Sequence, residues 1–151
     1  MSDNTLTLTR TFPDVDPEAV YDAWTRPELL ADWYGPEGFQ NEIHEMDVRV
    51  GGRYRLTMIA PDGAHYPLSG EYRTLEPPHR LAFSWQWENQ PASIGNDITL
   101  VTVDIKQVGR GTQVTLTHSE FADAARRDNH RHGWEPSLDK LGRFLASSGS
   151  Q

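Results

Sequence analysis

Apolar and polar positions alternate along most of the chain, and a helical stripe closes it. In TLTLTRTF, Leu6, Leu8, Arg10 and Phe12 alternate with threonines, a period-two pattern that predicts a first strand. Asp16 stands as an N-cap before Pro17, with Val15 placed to staple onto Val20, so VDPEAVYDAW predicts a short helix carrying Val20 and Trp24 on one face. Thr25 and Glu28 share capping-box spacing in TRPELLADW, predicting a second short helix with Leu29, Leu30 and Trp33. Gly and Pro in YGPEGF mark a loop.

Strand signals then follow in series. EIHEMDVRV places His44, Met46, Val48 and Val50 on one side, and GG at 51–52 turns the chain into RYRLTMIA, where Tyr54, Leu56 and Met58 align. After the turn PDG at 61–63, HYPLSGEYRTL resumes as a strand in which Pro67 points to an edge or a bulge. RLAFSWQWE alternates Leu81, Phe83, Trp85 and Trp87 against Ala82, Ser84 and Gln86. NDITLVTVDIKQV and TQVTLTH flank the turn GRG at 109–111 and bring the total to about seven strands.

SEFADAARRDNHRH breaks both periods, as a loop or a frayed helix does, until Gly133. Beyond it Trp134, Leu138, Leu141 and Leu145 recur at i, i+4, i+7 and i+11, with Phe144 beside them, while Glu135, Asp139, Lys140 and Arg143 face elsewhere. This predicts a long amphipathic helix, followed by a disordered tail at 147–151. Strands joined by short turns form an antiparallel sheet with one polar and one apolar face, and the terminal stripe is its natural cover. The predicted class is therefore α+β: a curved antiparallel sheet of six to seven strands, two short helices after the first strand, and a long C-terminal helix. Tyr54, Phe83, Trp85, Leu100, Leu116 and His118 are the inward residues expected to line any gap between sheet and helix.

Composition narrows the function classes. The 151 residues suit a single domain over 1–151, ordered from about 5 to 146, and show neither an internal repeat nor a composition shift. Fourteen Lys and Arg against 22 Asp and Glu give a net charge of −8, which argues against nucleic acid as a partner. Cysteine is absent, which excludes disulfides and thiolate metal sites. Neither a signal peptide nor an apolar run long enough to span a membrane is present, so a cytoplasmic location is expected. The five tryptophans are many for a short acidic chain and point to a rich core or a ligand pocket.

WTRPELLADWYGP, DVRVGGRYRLTMIAPDG, GEYRTLEPPHRLAFSW, GTQVTLTH and GWEPSLDKLGRFL follow in that order from Trp24 to Leu145, within a likeness that begins at about Leu6. This set resembles the bacterial relatives of the C-terminal domain of the Hsp90 ATPase activator, within the START-like, Bet v 1-like helix-grip superfamily. The resemblance implies a curved sheet gripping the C-terminal helix, with a hydrophobic tunnel between them. It also implies binding of lipids, sterols, aromatic polyketides or other apolar molecules, cyclase or other enzymatic activity in some members, and a link to the Hsp90 chaperone. The chain has no room for the co-chaperone's separate N-terminal domain, so an Hsp90-type chaperone is not expected as a partner.

The site expected on these grounds is an apolar pocket ringed by Trp24, Trp33, Tyr54, Phe83, Trp85, Trp87 and Trp134, floored by Leu138 and Leu141, with His44, Tyr72 or His118 supplying orienting polar groups. The partner is then an apolar small molecule. The alternatives are a cyclase- or hydrolase-like enzyme using His118 or His44 as acid or base, or a chaperone-associated module acting through its surface. An edge strand also permits a homodimer. No metal or cofactor is expected: Val48 stands where HEMDV would need its second zinc-binding histidine, HRH at 130–132 reads as solvated, and VGGRY and GRGT lack the lysine and helix of a phosphate loop. No G-x-S-x-G nucleophile elbow occurs.

Overall fold

The computed structural model describes residues 5–88 and 98–149 of the chain. Their 7-stranded antiparallel sheet comprises β1 (Leu6–Phe12), β2 (Gln40–Met46), β3 (Arg53–Ile59), β4 (His65–Glu76), β5 (Arg80–Trp87), β6 (Thr99–Val108) and β7 (Gly111–Ser119). Helices α1 (Pro17–Thr25) and α2 (Pro27–Leu30) follow β1, and α3 (Ala124–Gly149) ends the fold. The strand order β1-β7-β6-β5-β4-β3-β2 is a meander whose first strand returns to pair with the last, Leu6 lying opposite His118 and Phe12 opposite Thr112.

Side-chain alternation decides which face is covered. Leu81, Phe83 and Trp85 on β5, Val101, Val103 and Ile105 on β6, and Val114, Leu116 and His118 on β7 are all buried on the inner face. Against them lies the α3 stripe of Trp134, Leu138, Leu141 and Leu145, each buried. Leu100 is an exception to the expected lining. Thr99, Val101 and Val103 take the inner positions of β6, so Leu100 falls on the opposite face, across from Ser84 and Ser119, and is only half-buried. The expected start of that strand at Asn96 and Asp97 lies outside the described residues.

Local chemistry moves several element boundaries. Pro27 holds Arg26 extended, so Arg26 rather than Thr25 precedes α2. Thr25 stays in α1, its hydroxyl donating back to the Tyr21 carbonyl at 2.9 Å. Asp16 occupies the N-cap position of α1 but makes no side-chain capping bond. Trp33 lies beyond α2 in a turn, where its indole N–H donates to the Ala23 carbonyl at 3.1 Å. Strand β2 stops at Met46 after a bulge at His44, because Asp47, Arg49 and Gly52 fold into a hydrogen-bonded turn. Val50 is consequently 64% exposed and does not extend the row of His44 and Met46.

Pro67 sits on an interior strand, and the β4 bulge lies at Tyr72/Thr74 instead. The Pro67 carbonyl accepts from the Glu88 N–H just past the end of β5, a place where the ladder needs no donor from proline. The polar stretch before Gly133 is helical from Ala124, and Ser147–Gly149 belong to α3 rather than to a loose tail. Asp123 explains the early start: its carboxylate accepts from the Arg126 backbone N–H at 2.9 Å and caps the first turn.

Leu141 is fully buried where α3 meets the sheet. Leu141→Ala should cost about 3 kcal/mol of stability, measured as a lower urea midpoint with an unchanged slope.

Candidate functional site

A cavity of about 320 Å³ opens between the loop after α2, strands β3 to β5 and the first half of α3. The inward alternation of β5 supplies Trp85 and Trp87, whose rings meet edge-to-face at 5.3 Å. Met58 comes from β3 and Tyr66 from β4, while Tyr34, Gly35, Pro36 and Phe39 form the loop wall. Helix α3 adds Asn129, His130, His132, Gly133, Trp134 and Ser137, and the Trp134 ring lies 5.1 Å from that of Trp85.

The loop wall is tied to the helix. Lys140 on α3 directs its ammonium to the carbonyls of Pro36 at 3.1 Å, Gly35 at 3.2 Å and Tyr34 at 3.5 Å, and Arg143 pairs with Glu37. Burial lowers the Lys140 pKa, with Glu37 opposing that shift. Gly35 has φ +87°, and a Cβ there would stand 3.2 Å from the Phe39 Cβ and 3.3 Å from the Met58 sulfur, so both backbone and packing favour glycine.

Two histidines behind and beside the cavity hold its tryptophans in place. The Trp134 indole donates to His118 Nδ1 at 3.0 Å, which leaves His118 Nε2 to donate to the Thr99 hydroxyl at 2.7 Å. Thr99 passes its own proton to the Trp85 carbonyl at 3.1 Å. The Trp87 indole likewise donates to His130 Nε2 at 2.8 Å, so His130 Nδ1 carries the hydrogen shared with the Arg126 carbonyl at 2.7 Å. An indole N–H can only donate, so each histidine must be neutral and in one tautomer. Burial agrees with this, pushing His118 well below its ordinary value; it also lowers His130, partly offset by the bond to Arg126.

Not every donor is satisfied. Among the described residues, the Trp85 indole nitrogen, in a side chain only 4% exposed, has no hydrogen-bond partner, and neither has that of Trp24. Leaving such a group unpaired costs about 1–3 kcal/mol. Tyr34 and Tyr54 are raised well above the ordinary tyrosine value, chiefly by burial, and stay protonated. Among the described residues, the cavity lining contains no Asp, Glu, Lys or Arg. Among the described residues no group of three or more His, Cys, Asp or Glu is placed to hold a metal ion.

The sequence model of the Activator of Hsp90 ATPase homolog 1-like protein family matches residues 14–146. The chain belongs to this family. A crystal structure of a protein from Chromobacterium violaceum is similar at 29% identity and a TM-score of 0.86, with 95% of this chain and 98% of that one covered. The AHSA1 protein of Silicibacter pomeroyi matches at 27% identity and a TM-score of 0.83, covering 95% and 99% respectively. A Rhodobacter sphaeroides protein matches at 27% identity and 0.79, covering 97% and 95%. No curated protein matches the chain.

Of the residues expected at the site, this family member brings Trp85, Trp87 and Trp134 together around the cavity. Trp24, Tyr54, Tyr72 and Phe83 surround a separate hollow of only about 10 Å³. Trp33, Leu138 and Leu141 are core residues, and none of them lines the cavity. His118 is fully buried behind Trp85 and Trp134. His44 is exposed on the β2 bulge, bonded to the Thr57 hydroxyl at 2.9 Å. Both ring nitrogens of His118 and of His130 are committed to hydrogen bonds, so these two rings act as braces.

Sequence reasoning missed the loop wall, Met58, Tyr66 and the helical residues before Trp134. One signal was present: His130, Trp134 and Ser137 fall at i, i+4 and i+7, the terminal stripe continued one turn backwards.

The two histidines predict an acid-sensitive fold. Because both are lowered on folding, the unfolded chain takes up their protons first as the pH falls below about 6.5. Their stabilising contribution is thus complete above that pH and is lost progressively beneath it. Urea unfolding measured against pH should show a slope of about 1.4 kcal/mol per pH unit for each histidine that stays neutral when folded. His118→Gln should remove one such increment.

Proposed function

We propose that this protein encloses a small apolar molecule in the cavity between the sheet and α3. The observation that carries the reading is the cavity itself: about 320 Å³, walled by Tyr34, Phe39, Tyr66, Trp85, Trp87 and Trp134. That volume lies at the small end of the range for ligand pockets, which hold roughly 300–1,000 Å³ and are mostly apolar. The family resemblance to helix-grip proteins that bind apolar ligands supports the same reading.

Gly133 adds an argument from cost. It sits inside α3, where glycine is about 1 kcal/mol less favourable than alanine. A Cβ there would meet only the Pro36 Cγ, at 3.9 Å, so space does not demand glycine. Leaving out a side chain at Gly133 keeps the cavity open, and a packed core would gain by filling it.

Gly133→Leu tests this directly. Titration of the wild type with naphthalene derivatives should quench tryptophan fluorescence saturably. The variant should keep its circular dichroism and melt no earlier, yet lose the response. A flat wild-type titration with the fold intact would retire the reading.

A further inference from the structure

Helix α3 is fastened unevenly along its length. Beyond Gly133 it buries Trp134, Ser137, Leu138, Leu141 and Leu145. Before Gly133, in the arm from Ala124 to His132, no residue is buried. His130 ties this arm to the sheet, its Nε2 accepting the Trp87 indole N–H at 2.8 Å. The rings of Phe121, His118, Trp87 and Trp85 surround the imidazole at 4.8, 5.1, 6.2 and 6.3 Å between centroids. The helix is also weakest at the end of the arm, because Pro136 has no N–H to give the His132 carbonyl four residues back, and Gly133 lies between them.

A proton on His130 breaks the tie. The Trp87 indole can only donate, so protonated Nε2 sets two N–H groups against each other. Nδ1 carries the other hydrogen, given to the Arg126 carbonyl at 2.7 Å, and the charged ring has no lone pair left for the indole. The helix itself presents Arg126, Arg127, Asp128, Arg131 and His132 nearby, with Arg126 paired to Asp123 and Arg127 to Asp128. Strand β7 presents His118, Glu120 and Asp123 flank Phe121 before the helix, and Glu88 follows Trp87 at the end of β5. Burial lowers the His130 pKa, the bond to Arg126 opposing it. His118 differs: fully buried, with both nitrogens committed, it takes a proton only when the whole fold opens. His130 is half-buried in the cavity wall, within reach of water.

We propose that the bond between His130 and Trp87 is an acid-operated latch. Protonation of His130 frees the arm Ala124–His132 from the sheet about the join between Gly133 and Pro136, while the helix beyond stays seated. The part of the cavity wall formed by Asn129, His130 and His132 moves with the arm. The latch works whether or not the cavity holds a guest. A released ring recovers the ordinary value of about 6.5, so opening is favoured about tenfold for each pH unit below it.

Indole ¹H–¹⁵N spectra and native-state hydrogen exchange of the full chain, from about pH 8 to about pH 5, test this. The Trp87 indole N–H should move upfield on acidification while that of Trp134 stays in place. Protection of the Ala124–His132 amides, corrected for intrinsic exchange, should fall about tenfold per pH unit while the fold persists. His130→Gln keeps an acceptor for the indole that takes up no proton, and should abolish both changes; His132→Gln, on the exposed part of the wall, should leave both intact. Should His130→Gln fail to fold, Trp87→Phe serves instead, lowering protection of the arm already at neutral pH and flattening its pH dependence. Movement of both indoles together, loss of arm protection only alongside that of Leu138–Leu145, or a His130→Gln protein that keeps the pH dependence overturns the proposal. So does an arm whose protection stays constant throughout.

Discussion

The hydrogen bond from the Trp134 indole to His118 joins the helix to the sheet, and the arrangement of the cavity depends on it. Burying a polar imidazole at the centre of an apolar face is unfavourable unless both nitrogens are paired. Here the helix supplies the donor and Thr99 the acceptor, and Thr99 in turn fixes the backbone beside Trp85. One short relay therefore sets the height and rotation of α3 over β5. His118 occupies a core position in which leucine would fit the alternation equally well, and what it adds is direction. A leucine would let the helix turn about its axis, whereas an imidazole accepts an indole from one place only.

Aromatic rings do two jobs in this molecule. Trp24, Trp33 and Tyr34 interlock at 4.7 to 6.0 Å to close the interior beneath the loop, while Trp85, Trp87 and Trp134 leave one side of their cluster open. Such pairs contribute roughly 0.5–1.5 kcal/mol each beyond their buried area. The open side is thus built on an interlocked aromatic base. Tyr34 belongs to both groups, which couples the packing of the loop to the cavity wall.

Much of the fold was legible because its signals are local. Period-two alternation in β1, β3, β5 and β7 and the i, i+4, i+7, i+11 stripe of α3 each determine an element from neighbouring residues alone. Errors arose where two short-range rules competed. Thr25 had capping-box spacing, but the conformational demand of Pro27 on Arg26 was stronger. Leu100 lies in a run apolar on both faces, so alternation could not say which way it turns. The cavity was harder to read. The three tryptophans that line it were named with others that do not, because Trp24 and Trp85 look alike in sequence and differ only in what α3 and the loop place over them. Tyr34, Met58 and Tyr66 come together through the pairing of β3 with β4 and the return of the loop, contacts that no single window contains.

The grip of Lys140 on the loop carries a kinetic consequence. Three backbone carbonyls converge on one ammonium, beside an exposed ion pair between Arg143 and Glu37. Any motion of that loop away from α3 must part the ammonium from its carbonyls together, an opening whose barrier is set by these contacts. Of the two fastenings, only the exposed pair is weakened by salt. Ionic strength would therefore loosen the outer edge of the loop and leave its inner clasp shut.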